Sequence, residues 1–494
     1  MSLISVNNLT FGYDGSLKNI FENVSFNIDT DWKLGLIGRN GKGKTTFLKL
    51  LLGKYEYQGA ISKNVEFDYF PFEVKNKERM AIEIVNEIAP NVEDWEIIRE
   101  LNLLNTDTEV LYRSFNLLSG GEQIKILLIS LFLKGNNFLL IDEPTNHLDI
   151  EIRNNLVNYL EKKKGFILVS HDRNFLDKVV NHIISINNTN IEIQQGNFSS
   201  WKENKNRQDN FEKIQNERLQ KDINRLEIAS KNCAKWSNEA EKTKNKKYNS
   251  ETTIDKGYIG HKADKMMKKS KVMEQRIEKA INEKTNLLKN IEVNDTLKII
   301  PLKSNKNPLI FAHNLQIKYS KETIFNPITF EVNNGDRVAL IGKNGIGKSS
   351  ILKLILGEEL QYNGEFMVAN DLKISYVSQS TEDLKGNLRT FAYDNKINES
   401  IFKAMLVKMG LSQFDFDTNI QDMSEGQKKK VLIAKSISEQ ANIYIWDEPL
   451  NYIDILTREQ IEDAILNYNP TIIFVEHDEK FIEKVATKII NLVK

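Results

Sequence analysis

The strongest constraint on this chain is a pattern that occurs twice, GRNGKGKTT from Gly38 to Thr46 and GKNGIGKSS from Gly342 to Ser350. A GxxxxGK[ST] loop behind an apolar strand lets glycine N–H groups converge on phosphates. It also places a lysine on the β/γ oxygens and offers a hydroxyl to Mg²⁺. One copy is weak evidence, since a glycine turn arises by chance. Here the two copies keep step over further motifs: the offset is 304 from Lys44 to Lys348, 305 from Asp142 to Asp447 and 306 from His171 to His477. The chain therefore reads as a duplicated domain, with units at 1–200 and 306–494 and a linker at 201–305.

In each unit an apolar stretch (Leu34 to Ile37; Val338 to Ile341) precedes the loop and a helix-like stretch follows it. A second strand, Phe138 to Ile141 or Ile443 to Trp446, ends in an acidic pair, and a third, Phe166 to Ser170 or Thr471 to Glu476, ends in His-Asp. Strands that finish in polar groups and alternate with helices predict an α/β fold with a parallel sheet and a site at its carboxyl edge. ATP and Mg²⁺ are the expected ligands. Gly38, Asn40, Gly41, Gly43, Lys44, Thr45 and Thr46 form one phosphate loop, and Gly342, Asn344, Gly345, Gly347, Lys348, Ser349 and Ser350 the other. Thr45 with Asp142, and Ser349 with Asp447, are the candidate Mg²⁺ ligands. Glu143 and Glu448 are placed to polarise water, and His171 and His477 to reach a γ-phosphate.

The middle segment differs in composition. Between Trp201 and Ile300 there are 24 Lys/Arg against 16 Asp/Glu and no proline, although the whole chain balances 68 against 68. Apolar residues fall at helical spacing, at Phe211, Ile214, Leu219, Ile223 and Leu226, then at Met266, Met273, Ile277, Ala280, Leu287 and Ile291. Two amphipathic helices forming an antiparallel hairpin, with an irregular tip from Tyr248 to His261, are the first reading; one long spacer helix is the alternative. From Lys231 to Lys271 the balance is 12 basic to 5 acidic, interleaved with Trp236, Tyr248, Tyr258 and His261, a mixture suited to structured RNA as well as to a solvated hairpin.

With one cysteine, Cys233, the chain has no internal disulfide framework and no Cys-cluster metal site, which fits a reducing, cytoplasmic setting. The most apolar run, Ile126 to Leu133, is far below the roughly 18 residues a membrane span requires. No membrane domain is expected.

Leu118-Ser119-Gly120-Gly121-Glu122-Gln123 narrows the class, because it resembles the ABC signature. Phosphate loop, signature, Asp-Glu-Pro and His follow in that order in both halves, so the resemblance to ABC ATPases covers most of the chain. It implies two ABC-type P-loop nucleotide-binding domains joined by an α-helical hairpin linker, paired head to tail. Each ATP then lies between one phosphate loop and the other domain's signature: Ser119, Gly120, Gly121 and Glu122, or Ser424, Gly426 and Gln427. An aromatic before the loop, Phe11, Tyr13 or Tyr319, stacks on adenine in that family, although core packing also explains such residues. Gln379 falls where the family has a Mg²⁺-ordering glutamine.

Tandem domains bridged by a basic insert resemble the ABC-F branch, and the tip from Lys242 to Lys269 looks like the Lsa/Vga type. That resemblance implies a monomer on the 70S ribosome, contacting rRNA near the E site and peptidyl-transferase centre and P-site tRNA. It further implies relief of inhibition by lincosamides, pleuromutilins and streptogramin A drugs. A motor subunit for a separate membrane transporter, or a DNA-repair ATPase, are the rival readings.

Two departures bear on the site. The second signature reads Met423-Ser424-Glu425-Gly426-Gln427, and Phe72 stands opposite Gln379 when Tyr69 is aligned with Tyr376. In a head-to-tail pair both fall on the Lys44 site. A carboxylate near a γ-phosphate repels it, and a phenyl ring ligates nothing, so the Lys348 site is expected to be the faster.

Overall fold

A computed structural model of the chain describes residues 3–13, 19–135, 137–146, 148–187, 190–244, 265, 268, 271–273, 275–280, 296–319 and 322–494. These fall into two compact units, Met1–Trp201 with Asn294–Lys494, and Lys202–Val293.

The first unit holds both repeats. In the first repeat a six-stranded sheet runs in the order Glu66–Phe70, Asn137–Asp142, Phe166–Val169, Lys33–Ile37, His182–Asn187, Asn190–Gln195, parallel except for the last strand. The second repeat copies five of these: Ile374–Val377, Ile443–Asp447, Ile472–Val475, Arg337–Ile341 and Lys488–Asn491. The central strands are apolar throughout and buried throughout, as parallel strands covered on both faces must be. An antiparallel sheet accompanies each. Leu3–Phe11 lies between Phe21–Asp29 and Gln58–Ser62, and Ile310–Tyr319 pairs with Ile328–Val332 and Gln361–Val368.

Each repeat has two apolar layers, one under its antiparallel sheet and one under its helices. The helical layer includes the signature helices, Gly120–Leu133 and Glu425–Ser438. Both start at a serine, Ser119 or Ser424, whose side chain accepts from a backbone N–H three residues on, with a reciprocal bond from Glu122 or Gln427.

The repeats pack on one another. Ile455 of the second belongs to the helical core of the first. Arg173 forms a buried ion pair with Glu462, Asn174 Nδ2 donates to Glu479 Oε2 at 2.6 Å, and Lys480 Nζ donates to Asp177 Oδ2 at 2.5 Å.

The second unit contains most of the helix Phe198–Lys244, 47 residues long and hence about 70 Å at the α-helical rise. It begins three residues ahead of the expected boundary. Of the apolar residues at helical spacing, Phe211 and Ile214 are 61% and 50% exposed, whereas Ile223 and Ile277 are buried. Residues 275–280 are helical, as the spacing predicts. The hairpin tip, with Tyr248, Tyr258 and His261, lies outside the described residues, as do Met266, Leu287 and Ile291.

Glu462 is fully buried between Arg173 and Lys484. Replacing it by leucine leaves the Arg173 guanidinium buried opposite an apolar side chain, and removing one partner of a buried pair costs roughly 3–5 kcal/mol. Urea denaturation of Glu462→Leu is expected to show a loss of that size; a loss below about 1 kcal/mol, the level of a surface pair, would contradict the packing described.

Candidate functional site

The phosphate loops are held by glycines in left-handed backbone: φ is 79° and 93° at Gly41 and Gly43, and 77° and 99° at Gly345 and Gly347. At Gly43 a Cβ would also come within 2.6 Å of Ile20 Cγ2. The loop lysines fold back over their own loops. Lys44 Nζ donates to Gly38 O at 2.7 Å, Arg39 O at 3.3 Å and Asn40 Oδ1 at 3.2 Å, and Lys348 Nζ to Gly342 O at 2.8 Å and Lys343 O at 3.1 Å. Burial lowers the pKa of both. An anion above the loop would offset that cost.

Behind each lysine the hydroxyl and carboxylate meet. Thr45 Oγ1 donates to Asp142 Oδ2 at 3.2 Å, and Ser349 is hydrogen-bonded to Asp447. Both Asp carboxyls are raised by burial, against those hydrogen bonds. Asp447 Oδ1 and both carboxylate oxygens of Glu143 are buried without a hydrogen bond. Unpaired buried carboxylate oxygens beside a hydroxyl form a donor set that suits a hard divalent cation, so these residues fit Mg²⁺.

Glu143 and Glu448 share a second feature. Both sit in left-handed backbone, at φ 51° and 46°, and both backbone amides bond to the neighbouring strand, at Val169 O (2.9 Å) and Val475 O (3.0 Å). Burial, then the charge of Asp142, raises the Glu143 carboxyl. His171 Nε2 lies 3.3 Å from Glu143 Oε1, and His477 Nε2 lies 3.6 Å from Glu448 Oε1. Burial pushes both imidazoles below their usual range, so they are neutral at pH 7.

Tyr13 OH is 2.8 Å from Thr46 Oγ1 and Tyr319 OH is 3.1 Å from Ser350 Oγ, so each exposed ring stands at the end of its loop helix. Phe11 is instead a core residue.

The two cavities differ. That at Lys44, about 450 Å³, is lined by Tyr13, Asn40, Gly41, Gly43, Lys44, Thr45, Thr46, Asp142, Glu143 and His171 of the first repeat together with Ser424, Glu425, Gly426 and Tyr452 of the second. Asn40 Nδ2 donates to Tyr452 O at 2.7 Å across the seam. The cavity at Lys348, about 400 Å³, is lined by Asn344, Gly345, Gly347, Lys348, Ser349, Ser350, Gln379 and Glu448, all from the second repeat. The first signature does not line it. Ser119 and Glu122 are bonded to each other, and Gly120 opens onto a separate apolar cavity with Phe70, Phe72 and Phe115. What reaches across to this loop is Glu151, 2.7 Å from Lys343 Nζ. Gln427 is likewise turned to Ser424 and Asp415 and away from the Lys44 cavity.

Glu425 does line the Lys44 cavity, but its carboxylate is engaged, accepting from Thr381 Oγ1 at 2.6 Å and Lys428 Nζ at 3.0 Å. Those bonds hold its pKa down, so it is ionised. Phe72 packs against the helical core. A contact not foreseen from the sequence is Tyr69 OH, which donates to Asp142 Oδ2 at 2.9 Å. Its only signal was its place in the alignment with Tyr376.

A model of the ABC transporter family matches residues 21–146 and 325–451, both repeats. The chain belongs to the ABC transporter family of ATP-binding domains. It is an ATPase that uses ATP with Mg²⁺. The ATP-binding protein Uup of Buchnera aphidicola (strain APS) is 30% identical over 99% of this chain and 80% of its own length. The ribosome protection protein VmlR of Bacillus subtilis is 28% identical over 96% and 84%. An ABC transporter F family member of Arabidopsis thaliana is 24% identical over 99% and 76%. An archaeal ribosome recycling factor ABCE1, solved with the stalk protein aP1, has the same fold, with a TM-score of 0.61 and 18% identity over 98% of this chain and 87% of that one. Among the described residues no helix is long and apolar enough to cross a membrane.

Gly426 matches Gly121 of the first signature, where a Cβ would come within 2.6 Å of Ile152 Cδ1; Gly120 matches Glu425 and serves as an open control. A Cβ at Gly426 would lie 2.7 Å from Tyr452 O and 2.8 Å from Asn40 Nδ2, whereas at Gly120 it would meet nothing within 4 Å. Gly426→Ala is therefore expected to open the Asn40–Tyr452 bond and weaken ATP binding at the Lys44 site by about tenfold, the worth of one hydrogen bond. Gly120→Ala should leave it unchanged. Equilibrium ATP binding in a Lys348→Ala background reads both.

Proposed function

We propose that this ATPase is a ribosome-associated ABC-F factor, acting as a monomer in the cytoplasm, that protects the peptidyl-transferase centre from lincosamides, pleuromutilins and streptogramin A drugs. The observation that carries it is the long polar helix Phe198–Lys244, which opens a segment of 24 basic and 16 acidic residues set between two ATP-binding repeats. A helix that is mostly polar all round, with Phe211 and Ile214 exposed, is built to meet a partner. The basic excess suits a phosphate backbone. The similarity to a ribosome protection protein over nearly the whole chain supports the same reading.

On this reading the chain divides at 1–200, 201–305 and 306–494, and the linker tip reaches from the E site past rRNA and P-site tRNA. Two ATP molecules hold the repeats together and hydrolysis drives release. The glycine amides and Lys44 or Lys348 bind the phosphates, and the rings of Tyr13 and Tyr319 face adenine. Ser424 and Gly426 close the Lys44 site, and Ser119 to Glu122 swing onto the Lys348 site when it fills. Thr45 with Asp142, and Ser349 with Asp447 and Gln379, hold Mg²⁺, which when bound neutralises charge on the phosphates. Glu143 and Glu448 orient the attacking water, and His171 and His477 face the γ-phosphate.

The sites are unequal. Ionised Glu425 faces the Lys44 cavity and Phe72 supplies no ligand there, whereas Gln379 lines the Lys348 cavity. Single-turnover hydrolysis is therefore expected to fall further with Glu448→Gln than with Glu143→Gln; equal losses would contradict the inequality.

The ribosome reading is tested by pelleting with ATP, using the chain with both Glu143→Gln and Glu448→Gln. Co-sedimentation with 70S particles, lost on deleting Lys242 to Lys269, is the expected result. Absence from the pellet with ATP retained would overturn it and redirect the search to a membrane partner.

A further inference from the structure

Lys429 stands on the helix Glu425–Ser438, whose start, Ser424 to Gly426, lines the Lys44 cavity. Its own side chain serves the other site. Lys429 is 2% exposed, and its Nζ donates to Ser378 O at 2.9 Å and Glu448 O at 3.2 Å. Ser378 immediately precedes Gln379, and Gln379 and Glu448 both line the Lys348 cavity. One ammonium therefore ties together the two loops that bring an amide and a carboxylate to the second site, from a helix that closes the first.

The countercharge is Glu476, itself buried. Its Oε1 accepts from Leu450 N at 2.8 Å and its Oε2 from His477 N at 3.1 Å, so it fixes the turn after Glu448 and the histidine opposite. Burial pushes the Glu476 carboxyl up to about 7; in its ionised form its charge offsets the cost of burying Lys429, and Glu448 adds to that.

The first repeat lacks this network. Lys429 corresponds to Ile124, which lines the apolar cavity with Phe72. Glu476 corresponds to Ser170, whose hydroxyl bonds only within its own loops, to Thr145 Oγ1 at 3.2 Å and Asp172 N at 3.1 Å. An isoleucine cannot donate to the carbonyls of the Phe72 loop and Glu143.

We propose that Lys429, supported by Glu476, is a positioning residue through which nucleotide at the Lys44 site sets the hydrolysis rate at the Lys348 site, with no matching path in the opposite direction. Filling the Lys44 site draws in Ser424 to Gly426, and the helix carries Lys429 with it. Coupling of binding must be reciprocal, but coupling of rates need not be. The proposal rests on the ATPase chemistry and is independent of the ribosome.

The test is a double-mutant cycle in the full chain carrying Glu143→Gln, so that only the Lys348 site hydrolyses. The other substitutions are Lys44→Ala, the pair Lys429→Ile with Glu476→Ser that copies the first repeat, and all three together. Single-turnover phosphate release is read over a range of ATP concentrations. Lys44→Ala and the pair are each expected to lower kcat about tenfold with KM for ATP unchanged, the size of effect supporting residues have. The triple variant should be no slower than the pair alone. Independent effects would multiply to about a hundredfold loss and overturn the proposal. An equal loss at the Lys44 site, read in a Glu448→Gln chain, would also overturn it. Lys429→Met, close to lysine in volume, guards against misfolding: with thermal midpoint and ATP binding retained it should show the same non-multiplying pattern, and multiplication there would again overturn the proposal. Because ATP turnover by the isolated chain is the readout, failure here leaves ribosome pelleting untouched, and the reverse.

Discussion

In the first repeat Leu36 and Asp142 both pair with Val169, and in the second Leu340 and Asp447 both pair with Val475. That parallel register brings the ends of three strands to one level, so the phosphate loop, the acidic pair and the histidine emerge along one edge. A slip of one residue in any of these strands would send its functional group to the other face. The register is held in turn by burial. Val169, Val475, Leu36 and Leu340 are all nearly or wholly inaccessible, covered on both faces of the sheet.

What the sequence made legible were features whose chemistry and spacing are local. Glycines needing left-handed backbone, a lysine and hydroxyl after them, and carboxylates one residue past an apolar run are visible without the fold, and the structure brings Lys44, Thr45, Asp142, Glu143 and His171 around one cavity. The α/β class followed from the same alternation. What stayed hidden depends on distant chain segments meeting. Tyr69 reaches Asp142 from a neighbouring strand, Tyr452 offers only a backbone carbonyl, and Lys429 looks on paper like one more lysine in a basic run. The stripe from Phe211 to Leu226 was legible only in part for a related reason: helical periodicity shows that one face is apolar, but not how much of it another element covers, and Ile223 is buried while Phe211 and Ile214 are exposed.

The seam between the repeats shows how a duplicated chain departs from symmetry. At the Lys44 site contact is made by Asn40 with Tyr452 and by glycine packing at Gly426, both short and partly buried. At the Lys348 site it is made by Lys343 with Glu151, whose side chains are 73% and 63% exposed, a pair that contributes little in water, and by Arg153 Nη1, which donates to His477 O at 3.0 Å. The first site is thus bordered by the other repeat's signature helix, while the second is lined by its own repeat, with Lys348, Glu448 and His477 all buried. Burial lowers the pKa of both loop lysines, and each is also in the field of an aspartate of the other repeat, Asp454 for Lys44 and Asp149 for Lys348.

Buried charge in the second repeat follows the same division. Lys430 with Asp454, and Lys429 near Glu476, place four ionisable groups behind one signature helix, where the first repeat has Lys125, Asp149, Ile124 and Ser170. Well-packed apolar residues at such positions are often as stable or more so, so burying these charges is hard to explain as stabilisation. What a buried ammonium does that an isoleucine cannot is hold carbonyls from separate loops at fixed distance, because leaving any of them unpaired is costly. Lys429 holds Ser378 O and Glu448 O in this way, and Lys430 holds Met409 O together with Asp454. In the second repeat the signature helix, glutamine loop and acidic turn are thus joined by hydrogen bonds from one side chain, whereas in the first the same three parts meet around an apolar cavity of about 430 Å³.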